Sequence, residues 1–158
     1  KHIAYMPTES FYYGYMSCKD AGKFYKDFYE DFDENKYYQL LNEMNLDPEF
    51  KVSKMSSGMT AKAKLALTLA RESKIIMLDE PLNGIDIIAR ENVIQAIVEA
   101  AGEDKTIVIS SHLVDELEPI VDRVVFMKQG SVVLAGDAEE VRTERGKSIV
   151  DLYKEIYA

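Results

Sequence analysis

Two carboxylates stand side by side at Asp79 and Glu80, directly after the apolar run Ile75-Ile76-Met77-Leu78 and before Pro81. A continuous run of that length reads as a strand buried on both faces of a parallel sheet. Such a strand delivers its last residues to the sheet edge where open α/β folds bind ligands. A merely solvated strand end is the competing reading of the pair. The next apolar run, Thr106-Ile107-Val108-Ile109, leads into Ser110-Ser111-His112, so an imidazole emerges at the matching edge. In that position a histidine is better explained as a ligand or catalytic contact than as a structural side chain.

Two small-residue loops flank these strands. In Leu82-Asn83-Gly84-Ile85-Asp86, Gly84 supplies a turn and Asp86 can cap the helix that follows. Upstream, Ser56-Ser57-Gly58 opens another helix, whose N–H groups and dipole could accept a phosphate. Capping alone accounts for either loop equally well.

The elements that must hold these residues follow from periodicity. Ile3-Ala4-Tyr5-Met6 reads as a short strand closed by Pro7, and residues 8–17 form a polar connection containing Phe11, Tyr12, Tyr13 and Tyr15. Phe24, Phe28 and Phe32 recur every four residues and predict an amphipathic helix whose aromatic stripe is core or a partner-facing surface. Further helices are expected over 34–44, 60–71, up to Gly102, and over 113–121. A third strand is expected over 123–127, with 131–134 as its hairpin partner across Gln129-Gly130, then helices over 138–142 and 149–157 split by Gly146. Strand, helix, strand, helix, strand is the grammar of an α/β parallel sheet.

Composition limits the partners. Of 158 residues, 19 are Lys or Arg and 28 are Asp or Glu, giving a formal charge of −9 that disfavours a nucleic-acid groove. A nucleotide ligand remains compatible, because backbone N–H groups bind phosphate without a basic surface. The single cysteine, Cys18, cannot form an internal disulfide and fits a reducing compartment, with cytoplasm the expectation. No apolar run approaches the roughly 18 residues of a membrane span, so membrane association is expected only through a partner.

In this order the segments resemble the ABC transporter ATPase family. Met55-Ser56-Ser57-Gly58-Met59 is similar to the family signature LSGGQ, and 75–80 to the Walker B strand. Residues 82–86 are similar to the D-loop and Ser110-Ser111-His112 to the switch histidine. The resemblance covers nearly the whole chain and looks nearest to ATP-binding subunits of ABC-2-type exporters. It implies an α/β fold: a partial P-loop NTPase (RecA-like) parallel-sheet core with an ABC helical subdomain. The implied division is 1–8 for the Q-loop strand, 9–71 for the helical subdomain with the signature, 72–136 for the core and 137–158 for C-terminal helices.

The resemblance also implies roles. Asp79 would hold Mg²⁺ through water, Glu80 would be the general base, and His112 would contact the γ-phosphate of ATP. Ser56, Ser57, Gly58 and Met59 would close over ATP held by a second ATP-binding subunit, identical or a sister, with Asp86 crossing the same interface. Thr8, followed by Glu9, occupies the place of the Q-loop glutamine, and Ser57 and Met59 replace Gly and Gln of the signature. The implied partner is a transmembrane permease, placing the protein in the cytoplasm, peripheral on the inner face of the cell membrane, without inserting itself and without nucleic acid.

A P-loop is the missing motif. Gly146-Lys147-Ser148 does not supply G-x-x-x-x-G-K-[ST], since Val141 stands five residues before Gly146 and no strand precedes it. The family's loop is expected upstream of Lys1, and the chain alone is expected to have negligible ATPase activity. The strand carrying that loop is expected between the strands ending at Ser110 and starting at Arg123, leaving edges that rearrangement or another chain would fill. Alternative readings are a non-transport ABC ATPase, ribosome- or DNA-associated, and a non-catalytic ABC-like binding module.

Overall fold

The computed structural model describes residues 3–9, 13–102 and 104–158, so Phe11 and Tyr12 of the aromatic connection lie outside the described residues. The chain divides into two compact units, Lys1–Ser111 and His112–Ala158.

In the first unit, β1 (Ile3–Met6), β2 (Ile75–Asp79) and β3 (Thr106–Ser110) form a parallel sheet in that order. Its register aligns Met6 with Leu78, Leu78 with Ile109, and Asp79 with Ser110. Ala4, Met6, Ile76 and Leu78 point to the buried face, against which α3 (Ser57–Leu69) packs. Burial of these side chains and of the apolar body of α3 is what holds this sheet, at about 25 cal/mol per Å². The expected two-sided burial of β2 does not hold: Ile3, Tyr5, Ile75, Met77 and Val108 share the opposite face and are exposed. Their side chains alternate with the buried set, as a strand covered on one face requires.

The helical segment is built by caps. Ser17 and Asp20 form a reciprocal capping box that starts α1 (Cys18–Phe28), and Asp33 caps α2 (Glu34–Glu43). The buried stripe of α1 is Cys18, Ala21, Gly22 and Tyr25, not the phenylalanine series. Phe28 is 69% exposed, and Phe32 is buried but lies beyond the helix end, bridged to Arg71. Close packing sets this choice: a Cβ at Gly22 would come within 2.6 Å of the Tyr37 ring, so only glycine lets α1 approach α2 this closely. The Tyr37 hydroxyl then donates to the Cys18 carbonyl at 2.8 Å. The link to α3 is an ion pair, in which Arg71 donates twice to Asp31 at 2.8 and 3.0 Å while Ser73 donates to the same carboxylate.

After β2, Asp86 caps α4 (Ile87–Ala101), which ends at Gly102. The second unit contains α5 (Val114–Leu117), β4 (Arg123–Lys128), β5 (Ser131–Asp137), α6 (Ala138–Arg145) and α7 (Ile149–Tyr157). Its core is Val124, Phe126, Ala138, Val141, Ile149 and Leu152. Here the expected hairpin is present: β4 pairs antiparallel with β5. Gln129 and Gly130 both have positive φ, 51° and 76°, the conformation of a two-residue hairpin turn, and a connection that short permits no parallel crossover. The helix expected over 113–121 is a single turn. Within the second unit, β4 and β5 form a two-stranded sheet. No helix among the described residues is long and apolar enough to cross a membrane.

Candidate functional site

The parallel register puts the end of β2 beside the end of β3, and hydroxyls from both flanks take hold of the two carboxylates. Ser110 Oγ donates to Asp79 Oδ1 at 2.5 Å and Thr8 Oγ1 donates to Asp79 Oδ2 at 2.5 Å. The Ser110 hydroxyl first, and the Thr8 hydroxyl next, hold the Asp79 carboxyl below the usual carboxylate range. Asp79 is therefore an oriented anion at neutral pH.

Glu80 is held differently. Its N–H donates to the Ser110 carbonyl at 2.9 Å, continuing the ladder by one bond, while its φ of 48° turns the chain out of the strand. A non-glycine residue in that left-handed region carries strain of order 1–3 kcal/mol, and such residues persist where the surroundings over-determine them. Ser111 Oγ supplies part of that fixation by donating to Glu80 Oε2 at 3.1 Å. The turn continues with Asn83 N donating to the Glu80 carbonyl.

Glu80 and Thr8 share a cavity of about 330 Å³ with Met55, Ser57, Lys64 and Asn83. Thus the structure brings together Thr8, Glu80 and Ser57, with Asp79 bonded to Thr8. Ser56 is the N-cap of α3, its hydroxyl accepting from Met59 N at 3.2 Å, which leaves Met59 N–H engaged within its own helix. Gly58 packs against the D-loop-like turn: a Cβ there would stand 2.7 Å from the Gly84 carbonyl oxygen. Asp86 accepts from Ala89 N at 3.0 Å as the cap of α4 and lines a separate small pocket with Ile88 and Lys62. His112 is exposed and opens the second unit, immediately after Ser111 in the chain.

Sequence reasoning missed two features. The hydroxyls of Ser110 and Ser111 orient both carboxylates, a role that follows from the strand register once β2 and β3 are known neighbours. Lys64, buried in α3, donates to the main-chain carbonyls of Pro7 and Thr8 at 3.0 and 2.6 Å. Its only sequence signal is a lysine within the otherwise apolar stretch Ala63-Lys64-Leu65-Ala66-Leu67.

The donor set fits Mg²⁺ bound together with phosphate and not as a protein-only cage. No group of three His, Cys, Asp or Glu side chains capable of holding a metal exists among the described residues. Mg²⁺ characteristically uses one or two carboxylates and completes its shell with water and phosphate oxygens, and Asp79 offers one such fixed carboxylate.

A carboxylate pair at the end of a parallel β-strand, a capped helix facing it and a small helical segment define the fold of an ATP-binding cassette. The backbone matches an ATP-binding subunit of an ABC transporter with a TM-score of 0.85 at 22% identity, over 99% of this chain and 69% of the other. It also matches a dimeric ATP-binding cassette in a post-hydrolysis state bound to ADP and Pi, with a TM-score of 0.73 at 17% identity, over 86% and 62%. The sequence model of the ABC transporter family matches residues 1–83, and the chain belongs to that family. A relative, the ABC transporter ATP-binding protein YtrB of Bacillus subtilis, is 30% identical over 145 residues, 91% of this chain and 50% of its own. The chain thus spans about half the length of that curated relative.

Proposed function

We propose that this chain carries the hydrolytic carboxylates and the signature segment of the ATP-binding subunit of an ABC membrane transporter, which couples ATP-driven dimerisation to transport. The observation that carries the reading is the fixation of two adjacent carboxylates by three hydroxyls at one sheet edge. Glu80 is the general base that polarises the water attacking the γ-phosphate, its carboxylate oriented by the Ser111 hydroxyl at the strand end. Asp79 would hold Mg²⁺ through water, and the bound ion would supply charge neutralisation at the phosphates. Thr8 orients Asp79. His112 contacts the γ-phosphate and stabilises its developing charge.

Ser56, Ser57, Gly58 and Met59 face ATP held by a second ATP-binding subunit, identical or a sister, and Asp86 lies at that dimer interface. These 158 residues contain no G-x-x-x-x-G-K-[ST] loop, and in this reading the chain by itself turns over no ATP. A transmembrane permease is the other partner, with the subunit peripheral on the cytoplasmic face of the cell membrane.

The test is MgATP hydrolysis by the complete subunit containing this segment, measured beside Glu80→Gln. Loss of at least about a hundredfold in kcat with retained ATP binding is expected. Undiminished turnover by Glu80→Gln would rule out the assigned base.

A further inference from the structure

We propose that Lys64 is a positioning residue for the metal-side carboxylate: it anchors the loop that carries Thr8 and so ties the signature helix to Asp79. The inference rests on the function proposed above and deepens it.

A lysine that is only 6% exposed is rare, because an ammonium loses its hydration on burial and must recover it in hydrogen bonds. Lys64 recovers it from main chain. Its Nζ donates to both the Pro7 carbonyl, at 3.0 Å, and the Thr8 carbonyl, at 2.6 Å. Two successive carbonyls gripped by one cation leave the Pro7–Thr8 peptide little rotational freedom. The Thr8 hydroxyl, on the same residue, is thereby set against Asp79 Oδ2 at 2.5 Å. A chain of three hydrogen-bonded groups runs from the ammonium through the Thr8 backbone to the carboxylate. Asp79 in turn favours the charged form of Lys64, while burial opposes it more strongly.

Lys64 is also well placed to report on α3. Ser57 begins that helix and Lys64 follows seven residues, two turns, later, so both fall on one face; both line the cavity that Glu80 and Thr8 share. Because the helix is one rigid element starting at the signature loop, a shift of that loop along or about the helix axis moves Nζ relative to the Pro7 and Thr8 carbonyls. The Thr8–Asp79 bond then lengthens or re-forms with it. Lys64 touches neither nucleotide nor the reacting water in this scheme and acts only through Thr8.

The experiment measures two things for the parent, Lys64→Met, Thr8→Val and the double variant of the complete subunit. These are Mn²⁺ binding in the presence of ATP by electron paramagnetic resonance, and ATP hydrolysis as a function of Mg²⁺ at saturating ATP, with the two expected to shift together. Methionine keeps the aliphatic stem packed and removes only the ammonium. Each single variant is expected to raise the Mg²⁺ concentration for half-maximal rate roughly tenfold, as loss of a group orienting a metal ligand does. The double variant is expected to shift no further than the larger single, because both act on one bond. A Mg²⁺ requirement within about twofold of the parent in Lys64→Met, or multiplied shifts in the double variant, overturns the inference. If Lys64→Met does not fold, Thr8→Val decides: an unmoved Mg²⁺ requirement overturns it and a tenfold rise supports it. An inactive parent, or a Glu80→Gln variant as active as the parent, instead overturns the function on which the inference rests.

Discussion

Ser111 donates its hydroxyl proton to Oε2 of Glu80 across 3.1 Å, and this bond joins the end of β3 to a residue whose backbone sits in the left-handed region at φ 48°. The strained turn aims the carboxylate away from the strand axis, and the neighbouring strand then fixes its rotation. Ser111→Ala removes only the rotational constraint. It is expected to lower kcat of the complete subunit about tenfold with the ATP requirement unchanged, because orientation of a base matters most at the chemical step. Steady-state kinetics on that variant checks this, and a change confined to KM would contradict it.

The signature loop and the turn after Glu80 meet backbone to backbone. A Cβ at Gly58 would lie 2.7 Å from the Gly84 carbonyl oxygen, and one at Gly84, where φ is 76°, would lie 2.9 Å from Ser57 Oγ. Gly58→Ala and Gly84→Ala are each expected to cost about 1–3 kcal/mol, the first by overpacking and the second by overpacking with strain. Denaturant unfolding midpoints measure the loss. Gly130→Ala, equally positive in φ but with open space around it, is expected to cost less.

Much of this arrangement was legible before any coordinates. Four consecutive apolar residues ending in Asp79-Glu80 announce a strand and its edge, and Gly84 and Asp86 announce the turn and cap that follow. Two things were not. Lys64 bonds to main-chain carbonyls that lie 56 and 57 residues away, and carbonyls carry no side-chain signature. The burial of β2 was misread because a continuous apolar run does not say how many faces are covered. Ile75 and Met77 lie on the exposed face of the sheet, while the hairpin across Gln129-Gly130 was legible from its turn residues.

Acid should loosen the helical segment through Asp31. Burial pushes its carboxyl up, but the hydrogen bonds and charge of Arg71, with Ser73, bring it below the ordinary value. A depressed folded-state value means the stabilisation is fully present above pH ~4 and is lost as pH falls through the lowered value. Arg71→Met is expected to destabilise the fold by about 2 kcal/mol at neutral pH and to flatten this acid dependence. Thermal unfolding between pH 7 and 3 measures both.

Cys18 should be chemically quiet. Burial pushes its thiol up to about 11, opposed in part by Tyr37 and reinforced by Asp47, so little thiolate exists at neutral pH. Alkylation of the native protein at pH 7.5 is expected to be slower than that of the denatured protein by about a hundredfold or more. Mass spectrometry of a timed iodoacetamide reaction reads the ratio.

The most direct test of the site is crystallographic. Crystals of the complete Glu80→Gln subunit grown with Mn²⁺ and ATP, with Mn²⁺ standing in for Mg²⁺, should show anomalous density beside the ATP phosphates, water-bridged to Asp79. The side chain at position 80 should point to a water in line with the γ-phosphate. An ion elsewhere, or a position-80 side chain turned from the phosphate, would contradict the assignment of these two carboxylates.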